Sequence, residues 1–217
     1  TNFYNLNSSI YKNLIDFNPI NLLETPTGLD NEVRFISVAD RQVTFDDTID
    51  SKLFIDPPRD VENAVSYEKL FMFHVMNNTL PGIPTIFYGD EYGQVGGGGI
   101  DSKRDMKFQN QLTILESHLK NRVSKLNSLR NQYPSLSLGD FFVLRESNNY
   151  SVWLKSYYNE KILIFFNLQD KIIEVNVPLP FSSKRLISLL DSQIIEVNDK
   201  DIIGLIIPPY KTGIFLV

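Results

Sequence analysis

The spacing of apolar and polar positions changes character once along the chain, between residues 134 and 138. Before that point apolar strand-like runs alternate with segments of helical period. After it, short β-rich runs follow one another between turns. Ile10, Leu14, Ile15 and Phe17, placed before Pro19, predict a short amphipathic helix within residues 8–23. Residues 33–38 (VRFISV) are β-branched and aromatic, and read as a strand stopping at Ala39-Asp40. Residues 41–60 are polar, with Asp46, Asp47, Asp50, Asp56 and the pair Pro57-Pro58, and read as a long loop. Val61, Ala64, Val65, Leu70, Phe71, Val75 and Met76 then recur near helical spacing until Pro81-Gly82 stops them, predicting a buried helix over 61–80. A second strand is expected at 83–88 (IPTIFY), closing on Gly89-Asp90-Glu91, followed by a loop holding Gly96 to Gly99. Leu112, Leu115, Leu119, Leu126 and Leu129 mark one face of a long helix that ends before Pro134.

Repeated strand–helix units imply parallel strands with helices outside them. Two such strands cannot bury both faces of a parallel sheet, so residues 1–134 read as an incomplete α/β unit that pairs with further chain. Residues 135–217 offer eight strand segments, at 141–144, 150–157, 161–168, 172–177, 186–190, 193–197, 201–207 and 212–217. That density predicts an antiparallel sandwich or barrel, with hairpin turns at Asn148-Asn149, Asn159-Glu160 and Gln169-Asp170. The fold class is therefore α/β plus all-β.

Composition narrows the function. With 42% hydrophobic and 22% charged residues the chain is ordinary globular material. A net charge of −5 with scattered basic residues argues against a nucleic-acid partner. There is no cysteine, which excludes disulfides, thiol catalysis and cysteine-ligated zinc. His74 and His118 are the only histidines, stand far apart, and read as helix residues rather than a metal or triad site. No apolar run approaches the ~20 residues of a membrane span, so no membrane partner is expected. No signal peptide is visible. The start at Thr1 leaves localisation open and leads the reading to expect further sequence ahead of it.

Three motifs carry more specific information. The run LPGIPTIFYGDEYG, residues 80–93, resembles the eighth-strand segment of the α-amylase family, glycoside hydrolase family 13, whose usual form is LPGIPxIYYGDExG. Residues 95–108 (VGGGGIDSKRDMKF) resemble the GGGDPDNRRxMxF stretch of neopullulanase- and maltogenic-amylase-like members. Gly96, Gly97, Gly98, Asp101, Arg104, Met106 and Phe108 fit, while Gly99, Ile100, Ser102, Lys103 and Asp105 depart. Residues 126–139 (LNSLRNQYPSLSLG) resemble the family's LxxLRxxxPALxxG, its last barrel helix. The resemblance spans roughly residues 30–217, in family order.

It implies the last strands and helices of an incomplete (β/α)8 TIM barrel over 1–134, then a C-terminal antiparallel β-sandwich over 135–217. It also implies a parent enzyme acting on an α-glucan or maltooligosaccharide by a retaining mechanism. Asp40 would be the third carboxylate, stabilising the distorted sugar in the transition state. Its tripeptide here is Val38-Ala39-Asp40, where the family has Asn-His-Asp. Asp101 and Arg104 would line the sugar groove, and Arg41 would tether the loop. The family's nucleophile lies in a G-x-R-x-D context that is absent here, and its acid/base follows a later strand. By resemblance both lie upstream, so the fragment alone is expected to be inactive.

No metal site and no cofactor are expected within the chain. Calcium is common in the family, with ligands that would lie upstream, and the acidic stretch 46–56 reads as a solvated loop. Asp90 and Glu91 read mainly as structural. Ala39 leaves open a second class of function, a non-catalytic amylase-like scaffold or a carbohydrate-binding protein. Trp153, Tyr157 and Tyr158 are candidates either for stacking on sugar or for core packing. The exposed edge of a partial barrel would be covered by the missing N-terminal part of the same protein or by a homodimer.

Overall fold

In the computed structural model, residues 33–35, 63–86, 88–94, 104–198 and 201–217 are described. The helix expected within 8–23 and the loop 41–60 lie outside them. Strand β1 (Val33–Phe35) pairs in parallel with β2 (Ile83–Thr85), Val33 opposite Ile83. A parallel pair needs a long crossover between its strands, and helix α1 (Ala64–Thr79) lies in that connection. The helix starts later than its apolar spacing suggests because the Asn63 side chain caps it, accepting from the Val65 amide at 3.0 Å. Every residue from Lys69 to Thr79 is buried, so α1 is a core helix covered on all sides.

Helix α2 (Ile114–Gln132) opens on a reciprocal cap. The Glu116 amide donates to Thr113 Oγ1 at 3.2 Å, and the Thr113 amide donates to Glu116 Oε2 at 2.7 Å. Leu119, Val123, Leu126 and Leu129 are its buried face, whereas Leu115 is only partly covered and Leu112 precedes the helix. Pro134 then opens the short helix α3 (Pro134–Leu138), where its missing N–H costs nothing. No helix of the described residues is long and apolar enough to cross a membrane.

All eight segments expected after residue 135 are strands: β3 (Asp140–Glu146), β4 (Tyr150–Tyr157), β5 (Glu160–Asn167), β6 (Ile173–Pro178), β7 (Arg185–Ser188), β8 (Ile194–Glu196), β9 (Ile202–Ile207) and β10 (Thr212–Leu216). Among the described residues they form a six-stranded antiparallel sheet in the order β3-β4-β5-β10-β7-β8 and a two-stranded sheet of β6 and β9. The β4–β5 turn is Tyr158-Asn159 rather than Asn159-Glu160, because Tyr157 pairs with Glu160.

The core lies in two layers, one on each face of the larger sheet. Trp153, Ile162, Ile164, Phe166 and Ile214 pack with Leu70, Met72, Leu119 and Leu126 of α1 and α2. Val152, Leu163, Phe165 and Phe215 point the other way and pack with Val175, Val177, Ile203, Leu205 and Ile207 of the smaller sheet. Because both faces of β5 are covered, its central stretch ILIFF, residues 162–166, is continuously apolar. β6 and β9, covered on one face, alternate buried and exposed. The first layer is continuous across residue 134, joining the helices to the sheet.

Candidate functional site

Beyond β2 the chain makes a tight 3-10 turn, Asp90–Tyr92, between two glycines with left-handed backbone, Gly89 at φ 87° and Gly93 at φ 78°. Those angles are open to glycine at little cost. Asp90 is fully buried, and its carbonyl accepts from His74 Nε2 at 3.0 Å. Burial drives the His74 imidazole down to about 4, more strongly than the bond to Asp90 raises it. The ring is therefore neutral near pH 7, and its Nδ1 has no hydrogen-bond partner among the described residues.

The turn is stitched to the segment that follows the glycine-rich stretch. Gln94 Nε2 donates to the carbonyls of Arg104 (3.0 Å) and Asp105 (3.1 Å). Tyr92 Oη donates to Gln94 Oε1 at 2.6 Å and accepts from the Lys107 amide at 2.9 Å. Tyr88 Oη adds a bond to the Arg104 carbonyl at 3.3 Å. Lys107 Nζ reaches Glu116 Oε1 at 2.7 Å, tying the segment to the cap of α2. The two ends of the glycine-rich stretch are thus held together by buried Gln94 and Tyr92.

Of the residues singled out in the sequence, Arg104 is half-buried with its backbone inside this network. Asp40, Arg41 and Asp101 lie outside the described residues. Trp153 is fully buried between Phe141 and Phe166, at ring distances of 5.0 and 4.6 Å, so it is core and no sugar platform. Tyr158 is exposed and Tyr157 partly so. His74 sits on a helix as expected, but its anchoring of Asp90 was not legible, and neither was the clamp made by Gln94 and Tyr92. Their partners are main-chain carbonyls, which leave no trace in residue type. No group of three or more His, Cys, Asp or Glu among the described residues could hold a metal ion.

A second polar cluster joins α1, α2 and the β9–β10 loop. Glu68 accepts from Arg122 Nη1 and Nη2 at 3.0 and 3.1 Å and pairs with Lys211 Nζ at 2.8 Å. Burial alone would raise the Glu68 carboxyl, yet hydrogen bonds from Lys211 and Arg122 hold it below the usual glutamate range. Arg122 also lies 3.7 Å over the Phe71 ring. These side chains border a cleft of about 350 Å³, but their charges are already paired, which makes the cluster a brace between layers.

No family model matches the chain. A cyclomaltodextrinase of Geobacillus thermopakistaniensis is 29% identical over 150 residues, 68% of this chain and 24% of that protein. An amylopullulanase of Thermoanaerobacterium thermosulfurigenes is 31% identical over 90 residues, 42% of this chain and 5% of that protein. Among solved structures, an α-amylase from Anoxybacillus matches with a TM-score of 0.64 at 26% identity, covering 70% of this chain and 32% of its own. The α-amylase from Geobacillus thermoleovorans complexed with acarbose shares the fold with a TM-score of 0.67 at 24% identity, covering 85% of this chain and 38% of its own. The chain spans about a quarter of the cyclomaltodextrinase's length.

Proposed function

We propose that the chain is the C-terminal portion of a longer glycosidase of the α-amylase family, glycoside hydrolase family 13, that acts on α-glucans with retention of configuration. The observation that carries this reading is the order of three motifs, at 80–93, 95–108 and 126–139, in a chain similar to a cyclomaltodextrinase. In this reading residues 1–134 supply the last strands and helices of a (β/α)8 barrel, and residues 135–217 are the terminal β-domain. β1 and β2 would be neighbouring barrel strands, consistent with their parallel pairing. The barrel's open edge would be covered by upstream chain or by a second copy of the protein.

The reaction site of such a barrel lies at the C-terminal ends of its strands. Asp40 follows β1 in sequence, and the Gly89–Asp90 turn follows β2. Retention requires two carboxyl groups roughly 5–5.5 Å apart, one attacking the anomeric carbon and one protonating the leaving oxygen. Both would come from upstream sequence. Asp40 would supply the third carboxylate, placing negative charge beside the sugar as positive charge develops on it. Asp101 and Arg104 would bind sugar hydroxyls. The Gln94 clamp on the Arg104 and Asp105 carbonyls supports that role by fixing the backbone from which the guanidinium extends.

Ala39 favours a second reading, a scaffold or carbohydrate-binding protein without turnover, because alanine offers no hydrogen bond beside Asp40. Reducing-end release from a linear maltooligosaccharide by the intact protein separates the two. Steady release supports the glycosidase, and binding without release supports the scaffold. In the active protein, Asp40→Asn should lower kcat by about two to three orders of magnitude.

A further inference from the structure

The β4–β5 hairpin closes on two residues, Tyr158 and Asn159. Tyr158 takes φ 50°. Left-handed backbone is free for glycine and tolerable for asparagine, but it strains a bulky aromatic side chain. Asparagine stands in the very next position, where φ is not positive. The turn therefore holds its tyrosine in the strained place and its asparagine in the relaxed one. Packing does not account for this, since Tyr158 is 86% exposed. Tyr210, with a similar φ of 51°, differs: it is half-buried, and its ring takes the Lys69 ammonium at 4.7 Å. Strained residues that the core does not require concentrate where a ligand is held.

The surroundings of Tyr158 suit one kind of ligand. Its ring meets Tyr157 edge to face, with centroids 4.7 Å apart and planes at 87°. One ring contact covers at most one face of Tyr158, which leaves a flat apolar face towards solvent with a phenol hydroxyl at its rim. The Asn159 amide is exposed beside it. A flat apolar face edged by neutral hydrogen-bonding groups matches a pyranose ring, which shows one side of C–H groups and a rim of hydroxyls. A charged ligand would call for compensating charge at the tip, and Tyr158-Asn159 carries none.

We propose that the Tyr157–Tyr158 pair at the β4–β5 tip is a carbohydrate-binding site, a platform on which an α-glucan stacks. The choice of α-glucan rests on the function proposed above. The test is adsorption of the intact protein to granular starch, comparing wild type with Y158F, Y158G and Y158N. Glycine and asparagine relieve the backbone strain, so both variants should melt at or above the wild-type temperature. They should nonetheless adsorb about fivefold more weakly, while Y158F, which keeps the ring, stays near wild type. Wild type that does not adsorb, or Y158G and Y158N that adsorb as wild type does, overturns the site. Reducing-end release by wild-type protein in solution is scored separately and bears only on the proposed reaction.

Discussion

His74 shows how one buried side chain acquires a pH dependence. Its imidazole sits at about 4 in the folded chain against an ordinary 6.5, because burial disfavours the charged ring. Between those values the unfolded chain binds the extra proton. The contribution to stability is therefore complete above pH 6.5 and is lost as pH falls towards about 4. The shift corresponds to about 3 kcal/mol. His74→Gln, which keeps a donor for the Asp90 carbonyl, should flatten this slope. Urea midpoints of the two proteins at pH 7 and pH 4.5 measure it, and equal slopes would remove the assignment. Gly213 makes a second prediction at this scale. A Cβ there would stand 2.5 Å from the Phe165 ring, so Gly213→Ala should cost about 1–3 kcal/mol in thermal or chemical unfolding.

Elements are joined by a few polar side chains whose partners are mostly main-chain groups. Arg130 donates from Nη1 to the carbonyls of Asn78 and Leu136 and from Nη2 to that of Gly82, binding the end of α1, the approach to β2 and α3. Burial lowers its guanidinium to about 10, so it stays charged at neutral pH. A lysine cannot span three acceptors, and Arg130→Lys should cost about 1–3 kcal/mol, read from the urea midpoint. Thr113→Ala should cost about 1 kcal/mol by opening the α2 cap. The breaks at Pro81 and Pro134 were legible in the sequence, whereas the Thr113–Glu116 cap emerged only in the structure. Arg130 was legible only as part of a family motif, because the three carbonyls it binds come from separate parts of the chain. The β4–β5 turn was displaced by one residue because asparagine is the usual turn former, and here tyrosine takes the left-handed position.

For the whole molecule, the sequence separates a helical half from a β half at residue 134, and the structure places a shared core across that line. Trp153, Ile162, Ile164 and Phe166 of the sheet are covered by α1 and α2. Apolar periodicity reveals that β5 is buried on both faces but cannot say which element covers each face. One consequence is that residues 135–217 expressed alone should expose that face and bind a hydrophobic dye strongly, whereas the intact protein should not. The reaction site is legible only through resemblance. Asp40, the one reaction-site carboxylate the resemblance assigns to this chain, falls outside the described residues. The most direct test of the account follows the anomeric protons by NMR in the first minutes after intact protein meets a linear maltooligosaccharide. The account predicts new reducing ends that appear as the α-anomer and then mutarotate; first appearance of the β-anomer, or no new reducing ends, would contradict it.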